Sequence, residues 1–509
     1  MWENIISGIE KINDTVNGVV WGWPVIILIL GTGLLLSIRT GFLQVRRFGD
    51  SLNTTIVPTL KSLGKKKQAD GRVKSISQFE AFSTAISGTV GTGNIIGVVA
   101  AILTGGPGAV FWMWVSAFFG MVTNYSENVL GLYFRKKDKD GNLSGGAFYY
   151  IAYGLKWKWL AYISALFCML AAIGMSGVQT NKISGTLAES FSRLTGVGDN
   201  TELVRFIIGC VVAVVAAIII IGGIKRIGKV ASMLVPFMSL LFIVLALIAI
   251  GTHYYNIPAA FGLIFSKAFS FNAVGGGILG YTFAVVIKKG MARGVFSNEA
   301  GLGSSVIAHS ASETREPVKQ GLWGVFEVFF DTFIICTLTA LMFLTTYDVN
   351  TLDPAGLEDS VMSMTMFSNN FGGFGTATFS VILPLFAFTT IIAWSYYGEK
   401  AVEFFFGWVK SEKSRKYIVT VFKVLYVLLI AASTTIHSDL IWAIDDTFNG
   451  LMAIPNLICL IALSGLVAKI TKNYYQRKKG ADVEPMLSAY PDMNEEFKQD
   501  IMSGDQEMQ

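Results

Sequence analysis

No lysine or arginine occurs between Lys74 and Arg135, between Lys319 and Lys400, or between Lys423 and Lys469. A helix that crosses a bilayer needs about 20 mostly apolar residues. Each of those gaps holds two such stretches and one short connection, and the remaining apolar runs complete the pattern. Eleven spans are predicted: 19–38, 78–103, 109–133, 159–188, 204–224, 230–251, 274–312 (interrupted), 320–345, 374–398, 417–434 and 441–468. Of the 509 residues only 15% are charged and 52% are hydrophobic. That is too little charge to surface the several soluble domains a chain of this length would otherwise form, and too much apolar material for disorder. Residues 19–38 lack a small-residue cleavage site and lead straight into hydrophobic sequence, so they do not read as a removed signal peptide. Cys168, Cys210, Cys336 and Cys459 lie in apolar runs without C-x-x-C spacing and read as buried thiols.

The basic residues mark alternate loops. Arg46, Arg47, Lys61, Lys65, Lys66, Lys67, Arg72 and Lys74 share the first. Arg135–Lys139, Lys225–Lys229, Arg315–Lys319, Lys410–Lys416 and Lys469–Lys479 follow at every second connection. The loop 346–373 carries Asp348, Asp353, Glu358 and Asp359 and no base. Lysine and arginine favour the cytoplasmic side, so the N-terminus is expected outside and the C-terminus inside the plasma membrane. An odd number of spans requires the same. These basic loops are read as topology signals and not as nucleic-acid contacts. From Ala481 the chain is acidic and poor in apolar residues, and 481–509 is expected to be a disordered cytosolic tail.

Two spans are poor plain helices. One contains Ser87-Gly88-Thr89-Val90-Gly91-Thr92-Gly93-Asn94, the other runs from Gly290 to Gly303 through Arg293, Phe296, Ser297, Asn298 and Glu299. Each glycine costs about 1 kcal/mol relative to alanine inside a helix. Such runs either let helices pack closely or mark irregular backbone, which survives at membrane depth only against protein or a wet cavity. Each run opens a set of five spans, 78–251 and 274–468. Five is odd, so the second set is inserted upside down. The expected architecture is an all-α integral membrane protein: an N-terminal helix and basic loop (1–77), then a five-plus-five inverted repeat with two broken helices. The matching positions of the two runs favour broken helices over packing faces. Half-helix ends there expose N–H groups to a carboxylate and C=O groups to a cation.

The stretches GTVGTGNIIGV (88–98), TGGPGAVFWMWVSAFFGM (104–121), GGIKRIGK (222–229), RGVFSNEAGLGS (293–304), AWSYYGEK (393–400) and DDTFNGLMAIPNL (445–457) resemble the alanine/glycine:cation symporter family. The resemblance reaches from the first helix to about residue 470 and leaves out 481–509. It implies a LeuT-type fold, sodium coupling, and an amino-acid ligand at the first interruption.

Thr92 and Gly93 sit in that interruption, where free N–H groups suit a substrate carboxylate. Asn94 follows; its amide oxygen is either a cation ligand or a cap of the second half-helix. Ser87 and Val90 offer carbonyls to sodium from the end of the first half-helix. Thr389 and Thr390 match the fold's second sodium site by the resemblance, against the ordinary alternative of a bond back to their own helix. The resemblance also makes Phe296 and Trp394 walls of a small pocket, with Ser297 beside them, and Gln179 a substrate contact. Gln179 lies roughly 30 Å along its helix from Lys158 at 1.5 Å per residue, so it reaches mid-membrane only on a long, tilted helix. Ionisable residues inside spans are functional by default: Arg293, Glu299, Glu327 and Asp331 qualify, with Lys288 and Lys289 nearby. Arg293 and Glu299 flank one interruption and are expected to pair. Glu327 and Asp331 are expected on one helix face, and Glu127 is expected at the cytosolic interface.

The function these features imply is a secondary transporter. It would import a small neutral amino acid, alanine or glycine, with sodium by alternating access. A larger neutral amino acid such as glutamine, or a proton in place of sodium, remains open. A channel would need a pore lined by rings of charges or carbonyls, and no four-fold repetition occurs. No H-E-x-x-H, paired catalytic aspartate motif or nucleotide-binding loop points to an enzyme, and no organic cofactor is implied.

Overall fold

The computed structural model describes residues 2–62, 75–137, 141–195, 201–269, 283–348, 358–436 and 438–502. Lys65, Lys66, Lys67, Arg72, Lys74, Lys139, Asp353, the stretch 274–282 and the last residues of the tail, 503–509, lie outside them. The protein is built from helices. α1 (Trp2–Val20) leads into α2 (Trp23–Thr40), whose start is set by Pro24 and whose end is capped by Gly41 at φ 68°. The front helix therefore begins well before residue 19. Then come α3 (Gln78–Thr89), α4 (Ile96–Gly105), α5 (Ala109–Tyr133), α6 (Lys158–Thr195), α7 (Thr201–Ile220), α8 (Gly223–Thr252) and α9 (Ile257–Ala268). α10 (Phe283–Asn298) and the short α11 (Val306–Ser310) precede α12 (Pro317–Thr346). α13 (Asp359–Phe405), α14 (Glu412–Ala432), α15 (Ser438–Lys478) and α16 (Pro491–Met502) complete the chain.

Among the described residues, eight helices are long and apolar enough to cross a membrane. Each of the eleven expected spans falls on one of these, on α5, or on one of the two interrupted pairs α3–α4 and α10–α11. Arg315 pairs with Asp500, Lys137 with Glu496, Arg477 with Glu316, and Lys478 with Asp50. Four of the six basic stretches, those of residues 46–74, 135–139, 315–319 and 469–479, are thus brought to one side. On the other side Thr104, Lys182, Arg205, Asp359 and Ile436 line a common cavity of about 780 Å³.

The first interruption is real. α3 starts on a capping box in which Ser77 and Glu80 bond reciprocally, and it ends at Thr89. Val90 and Gly91 are extended, Thr92–Asn94 form one 3-10 turn, and α4 starts at Ile96. The second interruption falls later than the glycine-rich run suggests. Gly290 to Asn298 is helical, and the chain leaves the helix at Glu299, which adopts φ 54°. Gly301 and Gly303 follow at φ 94° and 75°, conformations that L side chains rarely adopt. Gly290 and Gly294 serve another purpose. A methyl on Gly294 would sit 2.8 Å from Ser116 Cβ, and one on Gly290 would strike the Ala109 carbonyl, so both let α10 lie against α5. The packing-face reading holds for these two glycines and the broken-helix reading for the next two.

One expectation fails outright. Residues 481–502 are not a solvated tail. α16 buries Phe497 completely, with Leu487 and Leu143. Arg315 stacks on the Phe497 ring at 4.6 Å, and the Ala489 N–H donates to the Tyr133 carbonyl at 2.8 Å. A few apolar side chains suffice because they fill a niche that the basic loops already form.

Candidate functional site

The two interruptions meet. The Asn94 amide nitrogen, at the first, donates to Ser297 Oγ (2.9 Å) and to Asp331 Oδ1 (2.5 Å). Ser297, one residue before the last of α10, donates to Asp331 Oδ2 at 2.8 Å, and Thr332 Oγ1 donates to the same oxygen at 2.9 Å. Phe329–Cys336 is a π-helical stretch within α12. Such a bulge turns side chains out of α-helical register. Here it presents Asp331, Thr332 and Cys336 to the interruption, while Glu327 faces elsewhere and meets His309 Nε2 at 2.7 Å. Glu327 and Asp331 therefore do not share one set of partners. All of these side chains are buried.

The Asn94 amide oxygen accepts from the Gly91 N–H at 2.9 Å, so it acts as a cap in this structure. The Thr92 N–H donates to Gln179 Oε1 at 3.3 Å. The 38-residue length of α6 removes the difficulty over depth, since Gln179 falls near its middle. A methyl on Gly93 would lie 3.3 Å from the Phe296 ring, and one on Gly91 would lie 2.6 Å from Thr390 Oγ1. Thr92, Gly93, Asn94, Gln179, Phe296, Ser297, Thr390 and Asp331 thus form one cluster.

Other expected residues stand apart from it or take different partners. Thr389 and Thr390 both bond back to the Phe386 carbonyl, at 2.9 and 3.1 Å, and Thr389 turns toward Met238. Ser87 Oγ bonds to the Thr84 carbonyl at 2.7 Å, and Val90 is fully buried where α3 ends. Trp394 does not stack on Phe296. Its indole N–H donates to Glu299 Oε1 at 3.0 Å, and Ser304 Oγ donates to Glu299 Oε2 at 2.5 Å. Arg293 does not pair with Glu299 either. It makes a two-pronged contact with Asp446 at 3.2 and 3.0 Å. Glu299 has left the helix, so it no longer lies on Arg293's face. Lys288 rests with its ammonium 5.9 Å from the Trp23 ring.

Glu127 does not face solvent. It is buried, and its Oε1 accepts from the N–H groups of Gly301 (3.0 Å) and Gly303 (3.1 Å) and from Asn456 Nδ2 (2.5 Å). One carboxylate oxygen thus holds the second interruption on the side of the basic loops.

On the opposite side the cluster is covered by aromatic rings. Phe296 stacks on Trp442 with centroids 5.7 Å apart and planes at 20°. Arg293 lies 5.2 Å and Lys182 5.1 Å from the Trp442 ring. Lys182 also bonds to Asp359 (3.3 Å) and Ser360 (2.9 Å), and it lines the 780 Å³ cavity. It stands one helical turn from Gln179, so the cavity ends just above the cluster. Trp442 went unremarked in the sequence, and Asp445 and Asp446 entered only as the start of a family-like stretch. The two carboxylates lie inside an apolar run, and that signal alone marks them as it marks Asp331.

Residues 6–488 match the sequence profile of the sodium:alanine symporter family. The chain is 39% identical over 482 residues to the sodium/alanine symporter AgcS of Methanococcus maripaludis, covering 92% of this chain and 97% of that protein. It is 33% identical over 471 residues to the probable sodium/glutamine symporter GlnT of Bacillus subtilis, with 92% of each covered. Among solved structures, MhsT in complex with L-phenylalanine superposes with a TM-score of 0.57 at 15% identity, covering 79% of this chain and 99% of that one. A sodium-coupled sialic acid symporter in a substrate-bound outward-open state gives 0.51 at 12% identity, covering 95% and 97%. These likenesses establish the LeuT-type fold. With paired interruptions, a membrane-spanning helical body and a family profile running through nearly all of it, the chain belongs to the sodium:alanine symporter family and is a multi-pass, cation-coupled amino-acid transporter.

Proposed function

We propose that the protein imports a small neutral amino acid, alanine or glycine, with sodium across the cell membrane. The observation that carries this reading is the meeting of the two interruptions at Asn94, Ser297 and Asp331. The Thr92 and Gly93 backbone would take the substrate carboxylate, with Gln179 beside it. Phe296 would close the pocket, with Ser297 and Trp394 at its edge. The nearness of Phe296 to Gly93 supports a small side chain.

Asp331 and Ser297 form the natural cation corner next to the proposed substrate carboxylate, and Asn94 would join it by turning its amide oxygen from Gly91 to the ion. Sodium bound between the two carboxylates would cancel a repulsion that neither ligand could bear alone, which couples their binding. Ser87, Val90, Thr389 and Thr390 are proposed as a second cation position near the end of α3. The cavity beside Lys182 is proposed as the extracellular approach, and the basic loops and Glu127 as the cytosolic closure, which places the N-terminus outside. Alternating access needs the loaded site to favour one closure over the other.

Import of glutamine is the second reading, favoured by the similarity to a relative named for glutamine. Uptake of labelled alanine, glycine and glutamine into proteoliposomes under an inward sodium gradient tests both. Accumulation of the first two supports the proposal; accumulation of glutamine alone selects the second reading. No accumulation of any of the three overturns sodium symport of these substrates. Asn94→Ala and Thr389→Ala should weaken sodium dependence more than Trp394→Ala does.

A further inference from the structure

Asp445 has no place in the scheme above, yet among the described residues it is a buried carboxylate with both oxygens unpartnered. It is fully buried on α15. Its neighbour Asp446 takes the whole Arg293 fork. The Asn449 amide, one turn on, gives its N–H to the Asp445 backbone carbonyl at 3.0 Å. From α6 Asp445 meets Gly174, where even a methyl would come within 2.7 Å of Oδ1. The charged and titratable groups acting on it are Asp446 on its own helix, Glu299 and Arg293 at the end of α10, and Tyr426 on α14. Two of the four are carboxylates, and the one cation is already engaged. The Tyr426 hydroxyl is turned to the Ile391 carbonyl at 2.8 Å.

A buried ionised carboxylate without a partner is among the costliest arrangements a protein can hold. A sodium ion would demand several oxygen ligands around it, and Gly174 packs too closely on this side for such a shell. A proton needs no shell. We infer that Asp445 is a proton-binding site between α6 and α15, filled when α15 closes on α6 and α10 and emptied when that contact opens. The proton comes from solution on whichever side the contact opens and returns there or to the other side when it opens again. The closed form therefore binds one more proton than the open form. By linkage, closure is favoured as pH falls and disfavoured as pH rises. The inference deepens the transport reading, because it names a second coupled cation and the residue that holds it.

Asp445→Asn tests it, since an amide mimics the protonated acid. Infrared spectra of the protein in lipid at neutral pH should show a protonated-carboxyl carbonyl band in the unmodified protein that disappears in Asp445→Asn and survives in Asp445→Glu. Thermal melting of Asp445→Asn at neutral pH should be unchanged or raised, because no ion pair is lost. Sodium-driven uptake should fall at least several-fold between pH 6 and pH 9 in the unmodified protein and lose most of that slope in Asp445→Asn. An identical carbonyl band in both proteins overturns the inference. So does a smaller number of bound sodium ions in Asp445→Asn, which would make the residue a sodium ligand. The infrared readout does not depend on transport. A missing band with normal sodium-driven alanine uptake sinks the inference alone. A band that vanishes in the variant while no amino acid is transported sinks the transport reading alone.

Discussion

Gly91 has no room for a methyl group. Its backbone is extended, and a β-carbon there would approach Thr390 Oγ1 to 2.6 Å. Overpacking of this kind costs about 1–3 kcal/mol, enough to shift the start of the 3-10 turn and with it the Thr92 N–H. Gly91→Ala is expected to lower substrate affinity by roughly ten- to a hundredfold, read as the uptake KM. Adding Thr390→Ala should restore part of the loss by removing the hydroxyl. A single variant with normal affinity, or a pair no better than the single, would contradict this packing. Arg293 and Asp446 give a second prediction. Their side chains are only 17% and 15% exposed, and removing one partner strands the other. Arg293→Ala and Asp446→Ala should each destabilise by about 2–3 kcal/mol, and the double variant by clearly less than the sum. Additive losses in melting experiments would mean the pair is not formed. At this scale the sequence was readable where the backbone itself breaks: the Gly and Thr residues of the first interruption, Phe296 in a family-like stretch and Gln179 by the resemblance all fall in one cluster. Partners were less readable. Arg293 meets a carboxylate 153 positions away, and no local spacing encodes that choice. Its nearer candidate, Glu299, was lost because the helix ends between them.

Helix phase decides what each interruption presents. The first was legible because its glycines, threonines and Asn94 all interrupt one apolar run. The second was legible as a run but not in its position, since glycine serves both close packing and positive φ. Gly290 and Gly294 do the first against α5, and Gly301 and Gly303 the second. The π-helical stretch in α12 had no sequence signature, so the divergence of Glu327 and Asp331 could not be foreseen. Glu127 ties this region together from α5. Its Oε1 accepts three donors, and a buried donor left without a partner costs about 1–3 kcal/mol. Glu127→Gln keeps an acceptor oxygen but adds an amide NH2 that must find its own place, and should cost about 1–2 kcal/mol; Glu127→Ala orphans all three donors and should cost more. Hydrogen exchange at Gly301 and Gly303 is the direct measure, because both N–H groups lose protection together. Unchanged exchange in Glu127→Ala would show that the second interruption is held by its own turns.

On the side of the basic loops the chain is tied together by a device that lies outside the family-like stretches. Arg135, fully buried, donates to the carbonyls of Ser310, Ser312 and Thr314, at 3.3, 2.7 and 2.6 Å. It thereby ties the end of α5 to the chain leaving α11. α16 then seals this knot. Phe497 takes the Arg315 guanidinium on its ring, Asp500 takes its Nε at 2.9 Å, and Glu496 takes Lys137 at 2.5 Å. The composition of 481–509 hid this, because acidic residues that look like a solvated tail are the counter-charges of loops far back in the chain. Phe497 and Leu487 are too few to signal a helix with a buried face. Their burial depends on a niche that only the assembled bundle provides. α16 bridges the chain after α5 and the chain after α11, so its docking opposes any opening that separates the two. Phe497→Ala removes the buried ring and should weaken docking by about 3 kcal/mol, exposing the segment after Gly480 to protease while the membrane body stays intact. Truncation before Ala489 should go further. Without the bridge the form open on this side gains population, so a cysteine reagent applied from that side should label a cysteine at Ser310 several-fold faster than in the full chain. Uptake at saturating sodium should also change in rate rather than in substrate selectivity, because among the described residues the partners of α16 include Lys137, Arg135, Arg315 and Leu143, away from the Asn94–Asp331 cluster. Equal labelling with and without residues 489–509 would reduce the helix to a cover for Phe497 and Leu487. A changed order of preference among alanine, glycine and glutamine would instead mean that the knot at Arg135 reaches the Asn94–Asp331 cluster through α11 and Glu299.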